Sequence, residues 1–573
     1  MMPSDNLIPR IYSGFRGVDF RGEEINLVRS PDALNVWKDY KETDSIRTRP
    51  GLEKKHSFDD TVYGIFFFTI NGVEYTFVHC GTNLHKIEPD RIICVSNDVN
   101  PVKSQAFIYN NIWYFKDGKK FMQYDGQLFL DVAEHEAYVP TTTIARKPLG
   151  GGTKYEDINM LTGRRKNSFL ADGESKEYFL DAQNIDEKIS DIIPRPVNIK
   201  INDNDVRAED YTVDIALGKI TFKTAPPAPL TDGQDNVVIE FKKDVEGYKE
   251  RIYNCTLLEV FDNRVFFSGN PDYPNTIWHC SLSDPAYCSD LDYYQEGLDH
   301  SPVKGMVAGN NSLWVFKEPS QANTTVFYHN PTIDAEYGKI YPSIHSSISA
   351  GCIGKAINFN DDIVFFSERG MEGIIGEITK EQVLGHRSTM VDRKLTVEKN
   401  YENMILEEWE GYLLVCIDNK IYLADSRATF TNENHLEYEW FYWEMSKEIT
   451  CTKVNKGVLY VGTKDGVYTL DDIEASVESY WTTPKDKFKY PQHLKTTNKR
   501  GCVAEATGDI SVYVKTEKTD FELVGEYKNI TDYFVSRIKR KKFKDIQIKF
   551  HSQTRFSLET ATLECFVGGY IKR

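Results

Sequence analysis

The chain has 573 residues, 40% hydrophobic, 27% charged and 13% aromatic, the composition of a soluble globular protein, which excludes collagen-like and disordered chains. Its 86 acidic against 69 basic residues leave a net charge of −17. That balance argues against gripping nucleic acid over the whole surface, which needs clustered Lys and Arg, while transient passage of double-stranded DNA past an acidic wall stays compatible. Tyr (33) and Phe (32) far outnumber Trp (8), and aromatics suit pleated, half-buried surfaces, so the expected fold class is all-β.

Residues 1–50 read as an extended N-terminal segment. Residues 1–20 contain no apolar stretch of the secretory-signal kind. The most apolar run, 63–70, falls short of the ~20 residues of a membrane-spanning helix, so no membrane-spanning segment is expected. From there a pattern recurs: a short apolar strand, a polar turn, then an apolar-aromatic strand. The turns are Asn71-Gly72, Asn110-Asn111, Asp262-Asn263, Asn310-Asn311, Asp361-Asp362, Glu410-Gly411 and Lys456-Gly457, each the signature of a β-hairpin. Markers at 72, 111, 263, 311, 361, 411 and 457 lie 39, 152, 48, 50, 50 and 46 residues apart. Several copies run into a second hairpin, and four strands per ~40 to 50 residues is the spacing of a propeller blade. The expectation is a β-propeller of six to eight blades, seven favoured, built from 51–150 and 251–475. A run of unrelated meanders is the plainer alternative.

The long gap implies an inserted module in 151–250. The stretch from Gly150-Gly151-Gly152 to Ser168 reads as a flexible linker or a loop held against the propeller. After it, strands at 196–201, 210–215, 218–223 and 236–242 predict a small β-sandwich within 185–245. Residues 476–573 read as a second β-sandwich, with strands near 510–514, 545–550 and 562–567. It holds the one notable charge cluster, Arg537, Lys539, Arg540, Lys541, Lys542, Lys544 and Lys549. Lysines that guard a strand edge, contact with an acidic neighbouring subunit, and contact with nucleic acid each account for such a cluster.

Ten cysteines without a C-x-x-C, most inside apolar runs, predict reduced core thiols in a chain folded in the cytoplasm. The chain has no G-x-x-x-x-G-K-[ST] phosphate loop, no G-x-S-x-G elbow and no H-E-x-x-H. The run Asn202-Asp203-Asn204-Asp205 opens like a calcium loop, but Arg207 stands where such a loop needs its turn. Ser30-Pro31-Asp32 approaches the S-x-D-x-G-x-x-W turn of sialidases, with Leu34 in place of its Gly. No catalytic, metal-binding or cofactor-binding residues are therefore expected, and no enzyme.

Ile25-Asn26-Leu27-Val28-Arg29-Ser30-Pro31-Asp32-Ala33-Leu34-Asn35-Val36-Trp37-Lys38-Asp39-Tyr40, followed by Arg47-Thr48-Arg49-Pro50-Gly51-Leu52, resembles the opening of the tail stabilisation or nozzle proteins of tailed bacteriophages. The blocks 155–169, 211–214 with 218–222, 478–484, 540–550 and 568–570 are similar to stretches of phage structural proteins, and together these cover about a quarter of the chain. The resemblance implies a structural virion protein of β-propeller type, made in the host cytoplasm. It would form a ring, hexameric by the family pattern, below the portal and adaptor, retaining the packaged genome and conducting DNA during ejection. The family brings no catalytic residues. Two rivals remain: a carbohydrate- or receptor-binding tail propeller with an aromatic-lined pocket, and a glycoside hydrolase or depolymerase with two carboxylates ~5 to 10 Å apart.

Overall fold

A two-residue turn with φ > 0 at both positions twists a hairpin the way its strands already twist, and seven such turns organise most of this chain. They are Asn71-Gly72 (49°, 82°), Asn110-Asn111 (49°, 60°), Asp262-Asn263 (51°, 57°), Asn310-Asn311 (52°, 57°), Asn360-Asp361 (50°, 64°), Glu410-Gly411 (53°, 76°) and Lys456-Gly457 (51°, 80°). One differs by a residue from the expected position, because Asp362 already pairs with Phe359 as the opening of the next strand. In others the pairing closes directly on the turn, as in Tyr109 with Ile112 and Trp409 with Tyr412.

A computed structural model describes residues 7–22, 25–41, 45–321, 325–335, 338–346, 348, 350–375, 383–432, 435–471 and 476–570. Among them α-helix is confined to Val132–His135, Tyr248–Tyr253 and Asp392–Leu395, and the chain is all-β. It forms two compact units, 66–346 and 1–65 with 347–573.

In the 66–346 unit, four antiparallel four-stranded sheets begin with Val62–Ile70 (whose first residues precede the unit), Gln105–Tyr109, Leu257–Phe261 and Val303–Gly309. In the other unit, two sheets begin with Ala356–Phe359 and Ile405–Trp409. A third comprises Cys451–Asn455, Val458–Gly462 and Gly466–Asp471, with Gly51–Ser57 as its fourth strand. The second strands Ser312–Lys317 and Tyr412–Ile417 are buried throughout. First strands of successive sheets lie side by side, 257–261 along 303–309 and 405–409 along 451–455. This is a β-propeller-like organisation. Gly51–Ser57 stands just ahead of the first sheet in the sequence but completes the last one. Gly466 permits this: its φ is 152°, and a Cβ there would lie 2.2 Å from the His56 carbonyl oxygen.

Between the second and third sheets lies the inserted module. Thr153–Lys154, Thr141–Arg146, Arg164–Phe169, Val237–Lys242, Val197–Ile201 and Asn204–Asp205 form one sheet, and Glu177–Phe179, Lys219–Phe222 and Tyr211–Asp214 a second. Both contribute to a core of Phe169, Tyr178, Val197, Ile199, Ile220 and Phe241. The stretch expected to be a linker is thus partly internal. Arg164–Phe169 is a central strand paired along its length with Val237–Lys242. Two of its polar residues are buried against specific partners: the Arg165 guanidinium lies 5.3 Å from the Phe241 ring centre, and Asn167 donates to Thr142 Oγ1 and accepts from the Asp181 N–H.

The terminal module is not the expected sandwich. Residues 476–570 form one continuous eleven-stranded sheet that curls into a partial barrel and takes in strands from the N-terminal segment. Its spine is His493–Thr516, a 24-residue strand that would extend about 80 Å if straight. Register shifts between Thr497 and Cys502 and between Glu505 and Ala506 bend it back. Leu7–Ser13 pairs antiparallel with the closing strand, from Leu7 opposite Phe566 to Ser13 opposite Thr560. Phe15, Val18 and Ile46 are fully buried, and Trp37 stacks on Trp409 at 5.2 Å and meets Trp443 edge-on at 5.8 Å. The N-terminal segment, expected to be a separate extension, is therefore part of this unit's core. All ten cysteines stand as thiols, and eight of them are buried.

Candidate functional site: a basic face on the terminal module

The residues that carry the family resemblance tie the N-terminal segment to the terminal sheet. Ser30 Oγ donates to the Thr482 carbonyl at 2.7 Å and accepts from its N–H at 3.3 Å. Asn35 donates to the Glu478 carbonyl at 2.9 Å, and its Oδ1 accepts from Arg49 Nε at 2.9 Å and from the Glu444 N–H at 2.8 Å. The role of these groups is to fix backbone, leaving the neighbouring surface to present charge.

That surface is built on Pro484-Lys485-Asp486-Lys487-Phe488-Lys489-Tyr490-Pro491. Asp486 is 3% exposed. Its carboxylate accepts from Arg10 Nε (2.6 Å) and Nη2 (3.1 Å), from the Tyr12 hydroxyl (3.0 Å) and from the Phe488 N–H (2.6 Å). Burial, and then the Asp486 charge, hold the Tyr12 phenol well above its usual pKa, so Tyr12 remains a donor. Phe488 is buried against Phe543, 6.0 Å between ring centres, under the Arg10 guanidinium. With Asp486 and Phe488 pinned inward, the alternate residues Lys485, Lys487 and Lys489 are exposed.

These three lysines line a groove of about 740 Å³ with Lys515, Phe521, Gln547, Pro491, Pro31 and Asp32. The ammonium groups of Lys515 and Lys549 lie 5.5 and 5.4 Å from the Phe521 ring centre. Lys549 also sits 3.5 Å from the Tyr480 ring centre and 3.6 Å from Asp32 Oδ2. Asp32 accepts a hydrogen bond from the Tyr480 hydroxyl at 3.0 Å. Lys515 faces Asp520 at 3.3 Å, but that carboxylate is almost wholly in solvent, where a pair adds little.

The seven basic residues singled out from the sequence fall into three groups. Arg537, Lys539, Arg540, Lys542 and Lys544 are exposed, and none forms an ion pair with a carboxylate among the described residues. Lys541 pairs with Glu522. Lys549 packs beside the groove, against Phe521 and Asp32. Sequence reasoning missed Lys485, Lys487, Lys489 and Lys515. The available signal was the strict alternation of Lys with Asp and Phe between two prolines, which reads as a displayed edge rather than a solvated loop. Residues 476–573 contain 19 Lys and Arg against 12 Asp and Glu, a charge of +7, so the other 475 residues carry −24.

Elsewhere, carboxylates are perturbed by burial: Asp292 is pushed up to about 6 and Glu259 to about 7. The Glu259 carboxylate accepts from the Ala308 N–H on the next sheet's first strand. Glu296, fully buried, accepts from Ser343 Oγ and faces His329 Nε2 at 3.0 Å. Among the described residues no group of three or more His, Cys, Asp or Glu is placed to hold a metal ion, and no helix is long and apolar enough to cross a membrane.

No family model matches the sequence, and no curated protein matches it. Among solved structures, BamB from Moraxella catarrhalis aligns over 73% of this chain and 96% of its own at 10% identity and a TM-score of 0.32. The exo-β-1,3-galactanase of Phanerochaete chrysosporium aligns over 53% and 94% at 9% identity and 0.20. PorZ of the type-IX secretion system of Porphyromonas gingivalis aligns over 92% and 87% at 11% identity and 0.17. At these scores the likenesses carry no argument about activity, ligand or partner.

Proposed function

We propose that this chain is a structural subunit of a tailed-phage virion, a nozzle or tail stabilisation protein. Its seven hairpin-based sheets are the blades of one propeller, and copies of it form a ring, hexameric by family resemblance, below the portal and adaptor. The ring retains the packaged genome and conducts DNA during ejection, without enzymatic turnover. The observation that carries the assembly is the division of charge, +7 on the terminal module against −24 on the rest. Opposite charges on different faces of one molecule favour head-to-tail association between copies, which closes into a ring when the rotation permits. An acidic remainder suits a channel wall, since it offers few cationic contacts to phosphate. The phage role itself rests on the resemblance of 25–40 and 47–52. Contacts to a neighbour come from the basic face, the inserted module and the side chains of the N-terminal segment that stay exposed, such as Ile11 and Tyr40.

The test is reversal of exposed charge. Arg540→Glu, Lys542→Glu and Lys544→Glu together leave the isolated chain folded, because exposed charges contribute little to stability, yet block tail completion. Particles lacking the protein that keep their DNA and inject it normally would refute the role, as would polysaccharide cleavage by the purified chain.

A further inference from the structure

We infer that the groove beside 484–491 binds the sugar-phosphate backbone of a nucleic acid through charge, without reading bases. Four lysines line it and Lys549 stands at its wall, against Asp32, whose carboxylate is already engaged by Tyr480 and Lys549. Lys485 and Lys489 have no ion-pair partner among the described residues. Such an excess of positive charge in one concavity calls for a ligand with several negative charges.

The form of the cradle narrows the class. Its cations are all lysines, point charges that bind phosphate without the planar fork by which arginine reads guanine or clamps a carboxylate. They alternate along an edge whose intervening side chains, Asp486 and Phe488, are anchored in the core. The backbone that carries the row is therefore set before the ligand arrives, and what remains to be ordered on binding is the lysine side chains. The lining also carries the apolar groups Phe521, Pro31 and Pro491, and basic grooves that offer flat apolar groups suit a polymer alternating charge with sugar and base. In a chain whose other residues sum to −24, one such cradle tethers a strand without coating the protein in DNA. The inference does not depend on ring assembly, because a single copy holds the whole groove.

The full chain, titrated into a fluorescein-labelled thymidine oligonucleotide and into a labelled duplex, reports binding by anisotropy. Affinity is expected to fall from about 50 to about 200 mM salt, with a slope in log salt of about −0.7 per phosphate engaged on a single strand. Lys485→Gln, Lys487→Gln and Lys489→Gln together should weaken binding more than tenfold at low salt and flatten that slope by about 2, with an unchanged near-UV circular dichroism spectrum. Arg537→Gln, Lys539→Gln and Arg540→Gln together should change the affinity less than twofold. No binding to either probe at about 50 mM salt overturns the inference. So does an equal loss from both triple variants, which would assign the effect to the basic face at large. Displacement of the oligonucleotide by polyglutamate or a sulfated polysaccharide as readily as by unlabelled oligonucleotide overturns the phosphodiester assignment. These outcomes are independent of tail completion.

Discussion

In the seven repeated sheets, Gly51–Ser57 apart, strands pair with near neighbours in the sequence, whereas in the terminal sheet Leu7–Ser13 pairs with residues 547 to 559 positions away. Both bury aromatic side chains on pleated surfaces, but their stability has different sources. A repeated sheet depends on local turns and on packing against its neighbour. The terminal sheet depends on a few anchors that hold both ends of the chain together, so single substitutions there should cost more.

Trp37→Ala is expected to cost most. It empties the space between Trp409 and Trp443, and truncation of a buried Trp costs about 3 to 5 kcal/mol. Denaturant unfolding that shows a loss below about 1 kcal/mol would mean that the N-terminal segment is not part of the core. Asp486→Asn should follow at about 3 kcal/mol, because it leaves Arg10 without its charge partner in a largely buried site. It should also expose Lys485, Lys487 and Lys489 to trypsin, and unchanged cleavage would show that the carboxylate does not hold the loop.

Two glycines sharpen the contrast between local turns and distant closure. Gly457, at a hairpin tip with φ of 80°, has open space where a Cβ would stand, so Gly457→Ala carries only the strain of a left-handed backbone, about 1 kcal/mol. Gly466→Ala adds a clash with the His56 carbonyl and should lower the melting temperature several times as much, by detaching Gly51–Ser57. Equal effects would mean that closure by the N-terminal strand is dispensable.

The remaining effects are in pH. Burial opposes charge on His386, but the carboxylates of Asp392 and Glu372 outweigh it and raise its pKa to about 10. Its folded value lies above the unfolded one, so its stabilisation is complete below about pH 6.5 and is lost as pH rises toward 10. Glu259 is raised to about 7, so its contribution is present below about 4.5 and declines through neutrality. His386→Asn should flatten the alkaline loss, Glu259→Gln the loss between about pH 4.5 and 7. Melting temperatures of the variants that retain the wild-type pH dependence would refute these assignments.

The repeated sheets were legible in the sequence because their turns need φ > 0, which Asn, Asp and Gly supply most readily. Even Glu410 and Lys456 were found, through the glycines that follow them. The central strand Arg164–Phe169 was hidden because Arg-Arg-Lys-Asn reads as a solvated linker, and only the distant partners Phe241, Thr142 and Asp181 make it buriable. The terminal sheet was misread as a sandwich because its register is set between chain ends and its bends by bulges, neither of which leaves a periodic trace. Of the functional face, the run 537–549 was visible as clustered charge. The groove was not, because Lys515, Phe521 and Pro31 meet 484–491 only in the fold.

Gly51–Ser57 also sets a timetable. Its partner Gly466–Asp471 leaves the ribosome some 400 residues later, an interval of roughly 20 to 80 s at typical synthesis rates. Throughout that time this early strand is an open edge, free to pair with other strands or other chains. Its sequence, Gly51-Leu52-Glu53-Lys54-Lys55-His56-Ser57, carries three consecutive charges in its middle and one large apolar residue. That composition keeps the waiting edge soluble until the last sheet arrives to receive it, so the segment's polarity serves the nascent chain as much as the finished one.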